Sequence, residues 1–182
     1  MIKPNAVYRR CWEKTWGAKM LIREMTPQEC RAFVERVGFG RLGAARDNQP
    51  YVVPFYFAYE SGRLYSFTTL GKKIRWMRAN PKVCVEVDEV KNHFEWMSVI
   101  LTGRFQELPN TLEYALERQQ ALEALEKRSL WWQTAFASGQ VSGRHTAEPI
   151  IYCVHIDTVT GHRAVPDAVE SSIALAERAK AS

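Results

Sequence analysis

The run Tyr51-Val52-Val53-Pro54-Phe55-Tyr56-Phe57-Ala58-Tyr59 contains no charged residue and is apolar at nearly every position. A strand with one wet face alternates apolar and polar residues. This one does not, so both of its faces need cover: a barrel interior on one side, and a helix, a partner chain or a flat ligand on the other. Pro54, in the middle, brings no N–H to a ladder, which places the strand at a sheet edge or puts a bulge in it.

Strand periodicity continues around this run. Phe39 to Arg46, Tyr51 to Tyr59 and Leu64 to Thr68 are separated by turn residues at Asp47-Asn48-Gln49 and Glu60-Ser61-Gly62, the pattern of an antiparallel meander. Val83 to Val87, Glu95 to Glu107 and Ile150 to Ile156 bring the expected strands to six, with further turns at Glu89 to Asn92 and Thr158 to His162. In the long strand Met97, Val99, Leu101 and Phe105 share one face, Ser98, Thr102 and Arg104 the other, and Ile100 breaks the alternation.

Helices flank the strands. Thr26-Pro27-Gln28-Glu29 reads as an N-cap, a proline at the first helical position and a glutamate at the third, with Gly38 as the stop. Asn110 and Glu113 open a second helix, expected to run to about Lys127. Leu130 to Phe136 reads as a short helical piece holding Trp131 and Trp132, followed by a Gly- and Ser-rich loop from Ser138 to Gly143. At 182 residues the chain suits one domain. That domain is placed at 20–165, with an irregular extension at 1–19, for which Met20 is an alternative start, and a terminal helix at 166–182.

Charge is local. The chain has 25 basic and 20 acidic residues, and Gly71 to Lys82 alone supplies five basic residues and no acid, so the remainder has 20 of each. Asn80-Pro81 stops a helix, because the residue before proline is pushed out of the α region. Gly71 to Ala79 is therefore a helix of about two turns, with Lys72 and Lys73 in its first turn and Ile74 and Met77 turned inward. Cations conflict with the positive end of a helix, whose free N–H groups attract anions. Either the helix is a solvated basic face, or a bound phosphate removes the conflict.

Other chemistry is sparse. No apolar run approaches the ~18 residues that span a bilayer, and Met1 to Lys19 lacks the apolar core of a secretory signal, so a cytoplasmic location is the default expectation. Cys11, Cys30, Cys84 and Cys153 are scattered without a C-x-x-C pair, so neither a disulfide framework nor a metal site is expected. There is no Walker loop, G-x-S-x-G, H-E-x-x-H or dinucleotide fingerprint. Only His155-Ile156-Asp157 puts two potential ligands on one strand face, and an exposed or hydrogen-bonded pair is the plainer reading. The basic run is short for a nucleic-acid interface.

The ordered series is more specific than any one piece. Val52-Val53-Pro54, then Leu64-Tyr65-Ser66-Phe67-Thr68-Thr69, Gly71-Lys72-Lys73, Asn80-Pro81-Lys82-Val83, Trp96-Met97-Ser98-Val99-Ile100 with Gly103, and Ile156-Asp157 with Thr160-Gly161 together resemble the FMN-binding split barrel. The likeness is to the pyridoxamine 5'-phosphate oxidase-like superfamily, in its nitroimidazole-resistance reductase branch, from about Met20 to Ala164. It implies a mainly β (α+β) fold: a six-stranded antiparallel split β-barrel with flanking helices, paired as a homodimer with FMN at the interface.

By the same resemblance Lys72 and Lys73, helped by Thr68 and Thr69, would hold the phosphate. Val53 and Pro54 would lie along the ring through their backbone, and Ser98 would reach the ring or ribityl chain from a neighbouring strand or subunit. No catalytic residue is implied, since the flavin performs the redox chemistry. NAD(P)H as donor and an oxidised small molecule, such as a nitro compound, as acceptor follow from the branch. The uncharged Tyr51 to Phe57 strand departs from true pyridoxamine phosphate oxidases, which carry an arginine-lysine strand there. Two other classes stay open: a haem-handling protein on the same barrel, with His145, His155 or His162 as axial ligand, and a nucleic-acid-binding module. Trp131 and Trp132 either cover the ring or pack as core.

Overall fold

The computed structural model describes residues 20–128 and 149–166. The extension at 1–19, the piece with Trp131 and Trp132, the Ser138–Gly143 loop, His145 and the helix expected after Pro166 lie outside those residues. In chain order the elements are β1 (Met20–Glu24), α1 (Pro27–Val37), β2 (Phe39–Arg46), β3 (Gln49–Tyr56), β4 (Ala58–Glu60), β5 (Arg63–Thr68), α2 (Lys72–Ala79), β6 (Lys82–Asn92), β7 (Glu95–Glu107), a 3-10 turn (Leu112–Tyr114), α3 (Ala115–Glu126) and β8 (Ile150–Pro166).

All strands join one antiparallel sheet in the order β3-β2-β6-β7-β8-β5-β4, with β1 on β8. The end strands β3 and β4 are consecutive in the chain, separated by Phe57 alone. Since successive Cα atoms are about 3.8 Å apart, the two ends of the sheet meet within about 8 Å. The sheet is therefore rolled into a barrel, yet no ladder joins β3 to β4, and it is not closed. This is the split barrel expected, and of the two placements open to Pro54, an edge or a bulge, the structure has the edge.

Eight strands stand where six are expected, for two reasons. Met20–Glu24 pairs with His162–Pro166, and the Tyr51–Tyr59 run divides at Phe57, whose N–H leaves the ladder and donates to Gly38 O at 3.0 Å. The turn expected at Thr158 to His162 is strand. Here β7 is long enough to supply partners throughout, and Gly103 opposes Ile156 while Thr102 opposes Thr158, leaving Asp157 as a bulge. Polar residues that read as a turn are the outward positions of a bulged strand. Pro166 is the last residue of β8. Asn110 does not cap a helix, because a 3-10 turn with Thr111 before it precedes α3.

The barrel interior holds Leu42, Phe55, Leu64, Val85, Val87, Val99, Leu101 and Tyr152, closed at its ends by Phe33 and Val34 of α1 and Ile74 and Met77 of α2. A smaller cluster packs Ala121, Ala124 and Leu125 of α3 against Tyr65, Ile151 and Cys153.

Candidate functional site

The site grows from the end of β5. Thr68 pairs with Ile150, Thr69 and Leu70 are exposed, and Gly71, extended at φ −153°, caps α2 without a side chain to accept from its first N–H groups. The first turn holds no acid, and the first helical bond runs from Arg75 N to Gly71 O at 3.2 Å. What holds this electrostatically poor helix in place is its apolar side, since Ile74 and Met77 are fully buried.

Lys73 is half-buried, and desolvation pulls its ammonium pKa below the usual lysine range. Its Nζ lies 5.7 Å from the centroid of the Tyr152 ring, and among the described residues no carboxylate pairs with it. Lys72 projects outward, with Nζ 4.6 Å from the centroids of both Tyr51 and Trp76. Such a contact at an exposed site is worth about 0.5–1 kcal/mol, against about 1.5–3 for a hydrogen bond to a charged group. An anion at α2 would draw Lys72 off the rings. Arg78 is spent on a two-pronged pair with Glu107 at 2.5 and 2.9 Å, as a surface charge is expected to be. Arg75 is exposed and forms no ion pair among the described residues.

Beneath Lys73 the Tyr152 hydroxyl is buried without a hydrogen bond of acceptable geometry. Burial pushes its phenol well up, and an interaction with the Ser66 hydroxyl, across the ladder, only partly offsets this. A half-buried cation with no carboxylate partner among the described residues, at the positive end of a helix, leaves this corner electrostatically able to take an anionic oxygen acceptor.

The other expected residues divide by sheet face. Tyr51 and Val53 point to the interior side of β3, opposite Ala44 and Leu42, so Val53 stands one same-face position from the ring that Lys72 touches. Pro54 is exposed on the outer side opposite Arg41, beside Val52 (63% exposed) and Tyr56 (44%). As β3 is an edge strand, alternate backbone groups there are free to meet a ligand. Ser98 also faces outward. Its Oγ donates to Glu86 Oε1 at 3.3 Å, in a network where Arg41 bonds Glu86 and Asp88. Within one chain Thr68, Thr69, Lys72 and Lys73 gather at one barrel end with Val53 close by, whereas Ser98 and the Pro54 ring lie across the sheet from them.

The histidine candidate is engaged otherwise. His155 Nε2 contacts Gln106 Oε1 and lies 3.4 Å from Cys153 Sγ, while Asp157 pairs with Arg104 at 3.3 Å. Burial holds the Cys153 thiol up at about 11, so it is no nucleophile at neutral pH. No group of three or more His, Cys, Asp or Glu converges among the described residues. A cleft of about 600 Å³ between α3 and β4 is lined by Tyr59, Lys127 and Arg128, but its Lys127 is paired with Glu60 at 3.2 Å, and it holds no converging acid and base.

Tyr51, Trp76 and Tyr152 are absent from the sequence reading of the site. Trp76, four residues after Lys72, was within reach of helical spacing. Tyr152, far along the chain in an apolar run, carries no local sign of its place under Lys73.

The sequence model of the family described as pyridoxamine 5'-phosphate oxidase matches residues 26–163. An uncharacterized protein of Rhizobium meliloti (strain 1021) is 40% identical over 148 residues, 80% of this chain and 97% of that one. The crystal structure of a FAD-binding protein from Mesorhizobium loti is similar at 38% identity and TM-score 0.64, covering 80% of this chain and 98% of that one. A candidate 5-nitroimidazole antibiotic resistance protein from Bacteroides thetaiotaomicron, at 19% identity and TM-score 0.56, covers 82% and 90% and shares the fold.

Proposed function

The chain belongs to the pyridoxamine 5'-phosphate oxidase family, and from that premise we propose that it is a flavoprotein whose α2 end holds the phosphate of FMN, free or as the FMN half of a larger flavin nucleotide. One observation carries this: Lys73, half-buried at a helix N-terminus, has no anion among the described residues. The name of the Mesorhizobium loti protein supports a flavin in the same terms.

Lys73 and Lys72 neutralise the phosphate, the free N–H groups of α2 and the hydroxyls of Thr68 and Thr69 donate to it, and the edge of β3 at Val53 and Pro54 borders the ring. The outer face, with Val52, Tyr56 and Ile100 exposed, packs against a second copy, whose Ser98 completes the site across the sheet. Bound flavin supplies hydride and electron transfer between a nicotinamide donor and a small oxidised acceptor such as a nitro compound. The chain's own share is to orient, to exclude water and to place charge. The strand from Tyr51 to Tyr59 carries no charge to anchor pyridoxamine phosphate, which argues against vitamin B6 as the substrate. No helix among the described residues is long and apolar enough to cross a membrane.

The test is direct. The purified protein, stripped of any bound chromophore, is titrated with FMN. Quenched or shifted flavin fluorescence and a raised Tm are expected, with riboflavin much weaker because it lacks the phosphate. If excess FMN changes neither signal, the proposal is wrong.

A further inference from the structure

We infer that the cleft between the ends of α1 and α3 and strand β4 is a second ligand site, separate from the α2 end, and that it takes an apolar α-amino acid as its zwitterion. At about 600 Å³ the cleft falls within the roughly 300–1,000 Å³ of small-molecule sites. Four charged side chains of the described residues line it: Glu35, Glu60, Lys127 and Arg128. Lys127 and Glu60 pair at 3.2 Å and cancel. One carboxylate and one guanidinium are left, and neither Glu35 nor Arg128 forms an ion pair among the described residues. A plain carboxylate or a plain amine would leave one of these two charges unmatched, whereas a zwitterion matches both.

Arg128 is held so that it does not close on the Glu35 carboxylate. Its Nη2 donates instead to the main-chain oxygen of Glu35, in the last turn of α1, where free carbonyls and the negative end of the helix favour a cation. The guanidinium seats against Gly38, left-handed at φ 64°, where an added Cβ would collide with Nη1 and Cζ. Burial pulls its pKa below the usual arginine range, against the opposing pull of the Glu35 charge. A guanidinium carries several N–H donors, so the bond to Glu35 O leaves others for a ligand carboxylate. The exposed Glu35 carboxylate is left for an ammonium, and buried Ala58 and Ala124 with half-buried Tyr59 supply the apolar part of the wall. The bland alternative is a surface pair between Glu35 and Arg128 that needs only a change of rotamer, worth at most about 1 kcal/mol.

Calorimetry and thermal shift on the full chain separate the two. The probes are L-leucine and L-phenylalanine, each with the analogue that lacks its ammonium and the one that lacks its carboxylate. Saturable binding of an amino acid is expected at millimolar concentration or below, with both analogues about tenfold or more weaker, the scale of one hydrogen bond to a charged group. Arg128→Met should lower amino-acid affinity to that of the amine analogue, and Glu35→Gln to that of the acid analogue, with the FMN titration unchanged in both. Failure of folded wild type to bind either amino acid overturns the inference and leaves the flavin reading as it stands. Equal binding of amino acid and analogues does the same, as does affinity undiminished in Glu35→Gln. A parallel fall in FMN affinity would make the two sites one and overturn their separation. Glu35 is exposed, so its variant keeps the test decisive should Arg128→Met not fold.

Discussion

Helices α1 and α2 both begin where a strand hands the chain to a helix against the barrel, yet their first turns are opposite in charge. At α1 the Thr26 hydroxyl accepts from Glu29 N at 3.2 Å and the Glu29 carboxylate accepts from Thr26 N at 2.8 Å. Arg23 grips the same carboxylate at 2.6 and 3.0 Å, and Arg163 stands 3.9 Å away. Hydrogen bonding by Arg23, opposed by partial burial, holds the Glu29 carboxyl down at about 2. At α2 a glycine stands at the cap, no acid follows, and two lysines face the positive helix end. Each misplaced cation costs roughly 0.3–1 kcal/mol, whereas burying Ile74 and Met77 contributes about 1.5–3 kcal/mol each. Packing holds α2 in a state its own electrostatics oppose. The first helix is satisfied from within the chain, and the second is left to be satisfied from outside it.

The contrast is broken most severely by Lys72→Ala with Lys73→Ala. Flavin affinity should fall by about 3 kcal/mol or more, roughly a hundredfold, the scale of two hydrogen bonds to a charged group. Unfolding in urea without ligand should show little net loss of stability, since neither lysine has a carboxylate to lose and the ring contacts of Lys72, worth about 0.5–1 kcal/mol, are offset by relief of the conflict with the helix dipole, roughly 0.3–1 kcal/mol per lysine. A drop in apo stability as large as the drop in binding would make α2 a structural helix like α1.

Thr26→Ala should behave in the reverse sense. It removes the cap of α1 and lowers stability by about 1 kcal/mol, with flavin affinity unaltered by titration. Glu29→Gln should cost roughly 0.5–1 kcal/mol at neutral pH, a figure reduced because the side chain is about a third exposed and screened. The folded carboxyl titrates near 2 and an unfolded glutamate near 4.3, so this stabilisation is complete above the unfolded value. It fades as pH falls toward 2. Denaturation curves of wild type and Glu29→Gln should therefore converge across that window; a constant gap would show that the charge is not involved.

Lys73 should shift stability in the same direction with pH, but in an alkaline window and because its charge is disfavoured rather than gripped. Its folded pKa is depressed by desolvation, so the ligand-free fold prefers the neutral amine. Apo stability should gain a small increment as pH rises toward the ordinary lysine range, and Lys73→Met should abolish that increment. Persistence of the alkaline gain in Lys73→Met would assign it to another group.

The smallest effect is expected from Gly71→Asp. The backbone at Gly71 is extended and an added Cβ meets only Thr69 O at 3.9 Å, so the substitution is unstrained. An acidic cap should raise the Tm slightly, by roughly 0.5 kcal/mol of stability, while weakening flavin binding through competition for the same N–H groups. Tighter binding in Gly71→Asp would deny that those groups face the ligand.

Much of this was legible in the sequence because it depends on near neighbours in the chain. The capping box of α1, the Gly71–Ala79 helix with its inward Ile74 and Met77, and the hairpin through Asp47 and Asn48 are all set within a few residues, and Pro54 narrowed its strand to an edge or a bulge. The order of these pieces was enough to mark the family and the split barrel. Thr158 to His162 was misread because local polarity cannot tell a turn from the outward side of a bulged strand; the length of β7 opposite decides that. The division of the Tyr51–Tyr59 run at Phe57 was hidden for the same kind of reason, since it depends on Gly38 O, beside it at the start of the neighbouring strand β2.

The sequence by itself determined where the cations lie and that their helix must form against its own dipole, because charge, caps and periodicity are local properties. Only the tertiary structure decided that Lys73 sits over Tyr152, that Lys72 rests on Tyr51 and Trp76, and that Ser98 faces the other side of the sheet. Those relations join residues up to some eighty positions apart. They exist only once the sheet has rolled far enough to bring its two ends together at Phe57.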